Sequence, residues 1–135
     1  MNDDKPVSVD LTTPPKSFTA FKPVGHIVIG LPDDETAERS REALKEAGFT
    51  QIQNIASADM QINMAQMLDV ASGSAEFGHE IVQMRKYLAM SAEGYGWLIV
   101  PASGNEAAQR IVSTVQPLGA RIAVHYGLLL IEDLL

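Results

Sequence analysis

The chain repeats itself, and this narrows its fold more than any other feature. Gly25-His26-Ile27-Val28-Ile29-Gly30 and Gly96-Trp97-Leu98-Ile99-Val100-Pro101 are two short apolar runs set 71 residues apart. At the same offset Glu35 falls on Glu106, Ala37 on Ala108, Arg39 on Arg110 and Gly48 on Gly119. Each run is rich in β-branched residues and reads as a buried strand. A polar turn follows each: Pro32-Asp33-Asp34 in the first copy, Ser103-Gly104-Asn105 in the second.

A helix comes next in both copies. Ala108, Ile111, Val115 and Leu118 recur at steps of three and four, which marks one helical face. Ser103 and Glu106 have the spacing of a capping box. Pro117 is expected to end the regular helix. In the first copy Ala37, Ser40, Leu44 and Ala47 form a thinner face. The rest of that helix is charged, Arg39 and Arg41 included, and reads as a solvated outer surface, with Glu35 and Arg39 one turn apart. Gly48 and Gly119 suit helix C-terminal turns. A second strand follows each helix, over about 50–56 and about 120–126. Two interleaved βαβ units of this kind imply an α+β, ferredoxin-like duplicated fold with strand order 4-1-3-2 and both repeat helices on one face of the sheet.

Residues 57–95 separate the repeats. Asp59–Val70 reads as one helix, with Met60, Met64, Met67 and Leu68 on a face. Glu76–Ala92 reads as another, with Phe77, Ile81, Met84 and Leu88 recurring, Tyr87 off the centre of that face and Gly94 at its end. The pair is expected to form a helical hairpin inserted between the repeats. Its methionines fit a hairpin core better than a docking surface. Ala71-Ser72-Gly73-Ser74 reads as a flexible joint. Residues 1–22, interrupted by Pro6, Pro14 and Pro15, read as a flexible N-terminal tail, although Phe18 and Phe21 could grip a surface. Residues 23–135 then make one ferredoxin-like domain.

Composition removes several function classes. The formal net charge is −7, so no basic field is available for nucleic acid or an anionic membrane. The chain has no cysteine, which excludes disulfides, thiol catalysis and thiolate metal sites. No apolar run approaches the roughly 20 residues that span a bilayer. The N-terminus has no signal-peptide core, so a cytoplasmic protein is expected.

The search for chemistry finds little. His26, His79 and His125 lack a second histidine at helical metal spacing, and His79-Glu80 is followed by Gln83 where a metalloprotease helix has histidine. No metal and no cofactor is expected. There is no Gly-x-Ser-x-Gly elbow. Gly94-Tyr95-Gly96 precedes a strand rather than a helix, which does not suit a dinucleotide phosphate. Asp33 and Asp34 open a helix, where they would repel phosphate and are expected to cap. Glu132 and Asp133 read as a solvated end.

The sheet supplies the better candidate. Strands one and three are apolar on both faces, while two repeat helices cover one face only. The other face needs the insert, a second subunit or a ligand as cover. The repeat places His26 and Trp97 at equivalent positions, and Tyr126 or His125 could complete a pocket with them. His26, Trp97, His125 and Tyr126 are therefore the candidate ligand-binding residues, although the pattern fits core or interface residues better. A symmetric homodimer burying Trp97 is the expected cover.

The stretch from Met84-Arg85-Lys86-Tyr87-Leu88 through Gly94-Tyr95-Gly96-Trp97-Leu98-Ile99-Val100 resembles the second half of small bacterial general-stress domains, of the heat-induced stress protein type. So do the later helix, Leu118-Gly119-Ala120 and His125-Tyr126; the match covers residues 24–135. The resemblance implies a stress-linked role and carries over no catalytic residue. Three function classes follow: a non-catalytic binding or regulatory domain acting as an oligomer; a small-molecule sensor; and a small enzyme with His26 or His125 as base. A dry, closed sheet face favours the first.

Overall fold

The computed structural model describes residues 23–71, 78–127 and 130–135, with the side chains of 70, 71 and 78–80 outside that description. The tail expected over 1–22 and most of the joint expected at 71–74 lie outside the described residues. The fold is α+β. The elements run β1 (His26–Leu31), α1 (Asp34–Glu46), β2 (Gln53–Ile55), α2 (Ser57–Ala71), α3 (Gly78–Ala92), β3 (Gly96–Pro101), α4 (Asn105–Val115), β4 (Ile122–Tyr126) and β5 (Ile131–Asp133).

Five strands form one antiparallel sheet in the order β2-β3-β1-β4-β5. Read from β4, the first four strands lie in the order 4-1-3-2. The edge strand β5, missed in the sequence, extends the sheet beyond β4. It has only three residues, and period-two patterning carries no signal over so short a run. β2 begins later than expected because Gln51 turns into the left-handed region at φ 58°, which takes it out of an extended ladder.

The strands alternate between two cores. Ile27, Ile29, Leu31, Leu98 and Val100 point to one face, where α1 contributes Ala37 and Leu44, and α4 contributes Ala108, Ile111, Val112 and Val115. Val28, Trp97, Ile99, Val124 and Tyr126 point to the other, where α2 contributes Met60 and Met64, and α3 contributes Met84 and Tyr87. Helices therefore cover both faces. The face expected to need the insert, a second subunit or a ligand as cover is covered by α2 and α3, which pair with each other and still cap the sheet. α2 and α3 have apolar residues broad enough in angle to do both, since Met60 and Met64 reach the sheet while Leu68 and Leu88 pack beside them.

Local chemistry sets the helix ends. Asp33 caps α1, its carboxylate accepting from the Thr36 N–H at 2.7 Å. Hydrogen bonding from the Thr36 side chain, and then from its backbone N–H, lowers the Asp33 carboxyl from its ordinary value. At α4 the expected capping box is not formed. The N-cap is Gly104, and no side chain bonds the first turn there. Pro117 does end the α-helix, which tightens to a 3₁₀ turn over Gln116–Leu118. Gly119 then takes φ 114°, a left-handed conformation that glycine adopts without strain.

The charged surface of α1 divides. Arg39 is exposed and lies 3.5 Å from Glu35, as the one-turn spacing implies. Arg41 is buried, against the expectation of a solvated face. Its guanidinium lies 3.1 Å from both Glu38 and Glu42, so two carboxylates compensate its loss of water. Among the described residues no helix is long and apolar enough to cross a membrane.

Candidate functional site

The four candidate residues do not converge. Trp97 and Tyr126 lie in the core under α2 and α3 and are almost wholly buried. His26 pairs with Tyr126 across β1 and β4 and shares the face of Val28 by strand alternation. It is partly exposed, and its Nδ1 lies 2.9 Å from the Val24 carbonyl. His125 has the opposite sense. It belongs to the face of Ala123, against α1 and α4, with Nε2 3.3 Å from the Ala102 carbonyl. A pocket shared by all four would have to pass through the sheet. Of the two alternatives for completing the pocket, Tyr126 shares the side of His26 and Trp97 and His125 does not, because neighbours on a strand face opposite ways.

The structure instead gathers an aromatic and hydroxyl cluster around Trp97. The indole N–H donates to Ser91 Oγ at 2.7 Å. Tyr87 meets the indole edge-on, with ring centroids 5.1 Å apart and planes at 69°. The Tyr87 and Tyr126 hydroxyls are 2.6 Å apart. Tyr95 leans against the outer side of the indole at 6.1 Å. Gly30, opposite Trp97 in the β1–β3 register, makes room for the ring: a Cβ there would sit 2.8 Å from Trp97 Cζ3 and 2.7 Å from Ile122 Cγ2.

Sequence reasoning missed Tyr87 and Ser91. One signal was available. A lone tryptophan in a core strand needs a partner for its N–H. Ser91 lies four residues after Tyr87 on the same helix, so the two share a face and can meet one ring.

The cluster is arranged for packing. Trp97, Tyr87 and Ser91 are fully buried, and their polar groups bond within the protein. Burial pushes the Tyr87 phenol up to about 12, with hydrogen bonds to Tyr126 and Gln83 acting in the other direction and the Asp133 charge adding to the rise. A phenol so placed stays protonated at neutral pH and does not serve as a base there. Among the described residues no group of His, Asp or Glu side chains comes together to hold a metal.

This phenol carries a prediction. The folded protein holds the Tyr87 proton more tightly than the unfolded chain, whose phenol titrates near 10. The resulting stability is complete below pH 10 and is lost as pH rises through 12. A two-unit shift corresponds to a loss on the order of 2–3 kcal/mol over that interval. Urea unfolding at stepped alkaline pH measures it. Tyr87→Phe is expected to flatten that alkaline decline. An equally steep decline in Tyr87→Phe assigns it to other groups.

Comparison with protein-family models, with curated proteins and with solved structures found no match to this chain.

Proposed function

We propose that the chain is a cytoplasmic, non-catalytic binding or regulatory domain that works as an oligomer. On this reading the domain is a ferredoxin-like pair of duplicated βαβ units, with α2 and α3 as a helical hairpin inserted between them. The 71-residue repeat and the 4-1-3-2 order of the first four strands support it. The likeness to small bacterial general-stress domains supports a stress-linked role.

One observation carries the functional part. The sheet face where a ligand or a catalytic histidine was sought is covered by α2 and α3, with Trp97, Ile99 and Val28 fully buried. Function then falls to the outer surface, which meets other macromolecules. The enzyme alternative takes His26 or His125 as the base in an oligomeric sheet pocket, and the two lie on opposite faces of the sheet.

Native mass spectrometry of the full chain tests the reading. The expected spectrum contains whole multiples of the polypeptide mass and no retained small molecule. A stoichiometric metabolite released on unfolding would overturn it in favour of a sensor domain.

A further inference from the structure

The outer edge of β5 is open and carries apolar side chains. β5 ends the strand order, and no described strand pairs with its outer side. Leu130 is 62% exposed and Ile131 44% exposed, and Leu135 is exposed at the other end of the strand. The β4–β5 ladder fixes which backbone groups face outward. The Gly127 N–H donates to the Leu130 carbonyl and the Leu134 N–H to the Ala123 carbonyl, both at 2.8 Å. Bonded pairs alternate along an antiparallel ladder, so Glu132 turns its backbone toward His125, while Ile131 and Asp133 turn theirs away from the sheet. An outward row of this kind is a template for another strand.

The chain itself supplies one. His26 lies opposite Tyr126, and Tyr126 opposite Ile131, so β1 and β5 start at the same end of the sheet. The Gly25 N–H donates to the Tyr126 carbonyl at 2.7 Å, which fixes the chain there just before β1. Residues 1–22 therefore join the described fold at the end where β5 begins. β1 and β5 are parallel, each being antiparallel to β4. A strand outside β5 that leads back to Pro23 runs antiparallel to β5, and its link to β1 stays at one end of the sheet. That link crosses three strand spacings, about 14 Å. Residues 12–22 reach about 36 Å when extended, so they span it with length to spare. Ahead of them Val7-Ser8-Val9-Asp10-Leu11 alternates apolar and polar, the pattern of a half-buried strand, between Pro6 and the Pro14-Pro15 pair.

We infer that residues 7–11 add to the outer edge of β5 of the same chain as an antiparallel sixth strand. The inference does not depend on the oligomeric reading above. The β5 of a second copy suits this edge less well. Each strand would bring Glu132 and Asp133 to the pair, and like charges across a strand pair are unfavourable. The segment before Pro23 holds three lysines against three aspartates, so it adds no net charge to the acidic edge. Its tether beside the site also gives it a high effective concentration there, which a free strand lacks.

Amide exchange of the full chain followed by NMR tests the inference. Adjacent strand residues point their N–H groups opposite ways, so of Ser8→Pro and Val9→Pro one removes a donor to β5. That variant is expected to speed exchange at Ile131 and Asp133 by about tenfold or more, with exchange at Val28 and Ile99 in the central strands unchanged. Ile131 and Asp133 amides that exchange as fast in the wild type as in an unpaired chain would overturn the inference. So would protection that survives both proline variants. The chain has no cysteine, so Ser8→Cys gives one site for a nitroxide. The label is expected to broaden the β5 signals of its own chain. Equal broadening in a separate, isotope-labelled copy mixed with it would assign the strand to a neighbouring molecule and overturn the same-chain placement.

Discussion

Replacing Trp97 with alanine is expected to lower the free energy of unfolding by about 3–5 kcal/mol, the range for emptying a large aromatic site in a packed core. Three contacts are lost together. The indole leaves a cavity between β3 and α3, the edge-on contact with Tyr87 disappears, and Ser91 Oγ loses its N–H donor. The surroundings have little room to relax, because Gly30 beneath the ring is part of the central strand β1. Chemical denaturation followed by circular dichroism measures the effect, since Trp97 is the one tryptophan and the variant has no indole fluorescence. The midpoint is expected to fall with an unchanged slope. A loss below about 1 kcal/mol, the range of a surface substitution, would show that the ring is not enclosed.

Val28→Asp is expected to prevent folding altogether. Val28 lies at the centre of the sheet, between Ile99 and Val124 in the register, and is fully buried beneath the α2/α3 layer. A carboxylate there has no partner, and an unpaired buried charge costs several kcal/mol or forces the group to take up a proton. The outcome separates two architectures. With the helical pair as cover, the variant is unfolded or insoluble at every concentration. With a second subunit as cover, it is a folded monomer with native circular dichroism. Gel filtration and circular dichroism on one sample distinguish them, and a folded monomer would overturn the assignment of α2 and α3 to this face.

The homodimer expected across the sheet loses its motive here. That expectation came from counting two repeat helices for a sheet with two apolar faces. The helical pair between β2 and β3 was set aside as cover because its apolar stripes are partly used in mutual pairing, yet α2 and α3 pack against each other and the sheet at once. Trp97 is buried within a single chain, so its burial requires no second copy.

Much of the frame was legible because it is local. Runs of β-branched residues marked β1 and β3, steps of three and four marked α1 to α4, and glycines marked the turns after α1, α3 and α4, where Gly48, Gly94 and Gly119 all take positive φ. The expectation of a 4-1-3-2 strand order came from reading the two apolar runs and the helices after them as a pair, and the first four strands do lie in that order. The helical pair between β2 and β3 was also legible locally. Its apolar residues recur with the helical period whatever they later touch.

Tertiary structure alone decided the rest. Periodicity says that Val28 and Ile29 face opposite ways, but not which helices cover each side. Tyr87 and Tyr126 lie 39 positions apart, and their hydroxyls meet only after α3 has settled over β4. Arg41 looks like any charged residue of an exposed helix, and only the packed chain shows it buried while its helix neighbours Glu38 and Glu42 stay at the surface. Local sequence determines which backbone hydrogen bonds and faces form, through dihedral preference and apolar spacing. Which face meets which is settled by burial summed over distant segments, and no window of sequence contains that sum.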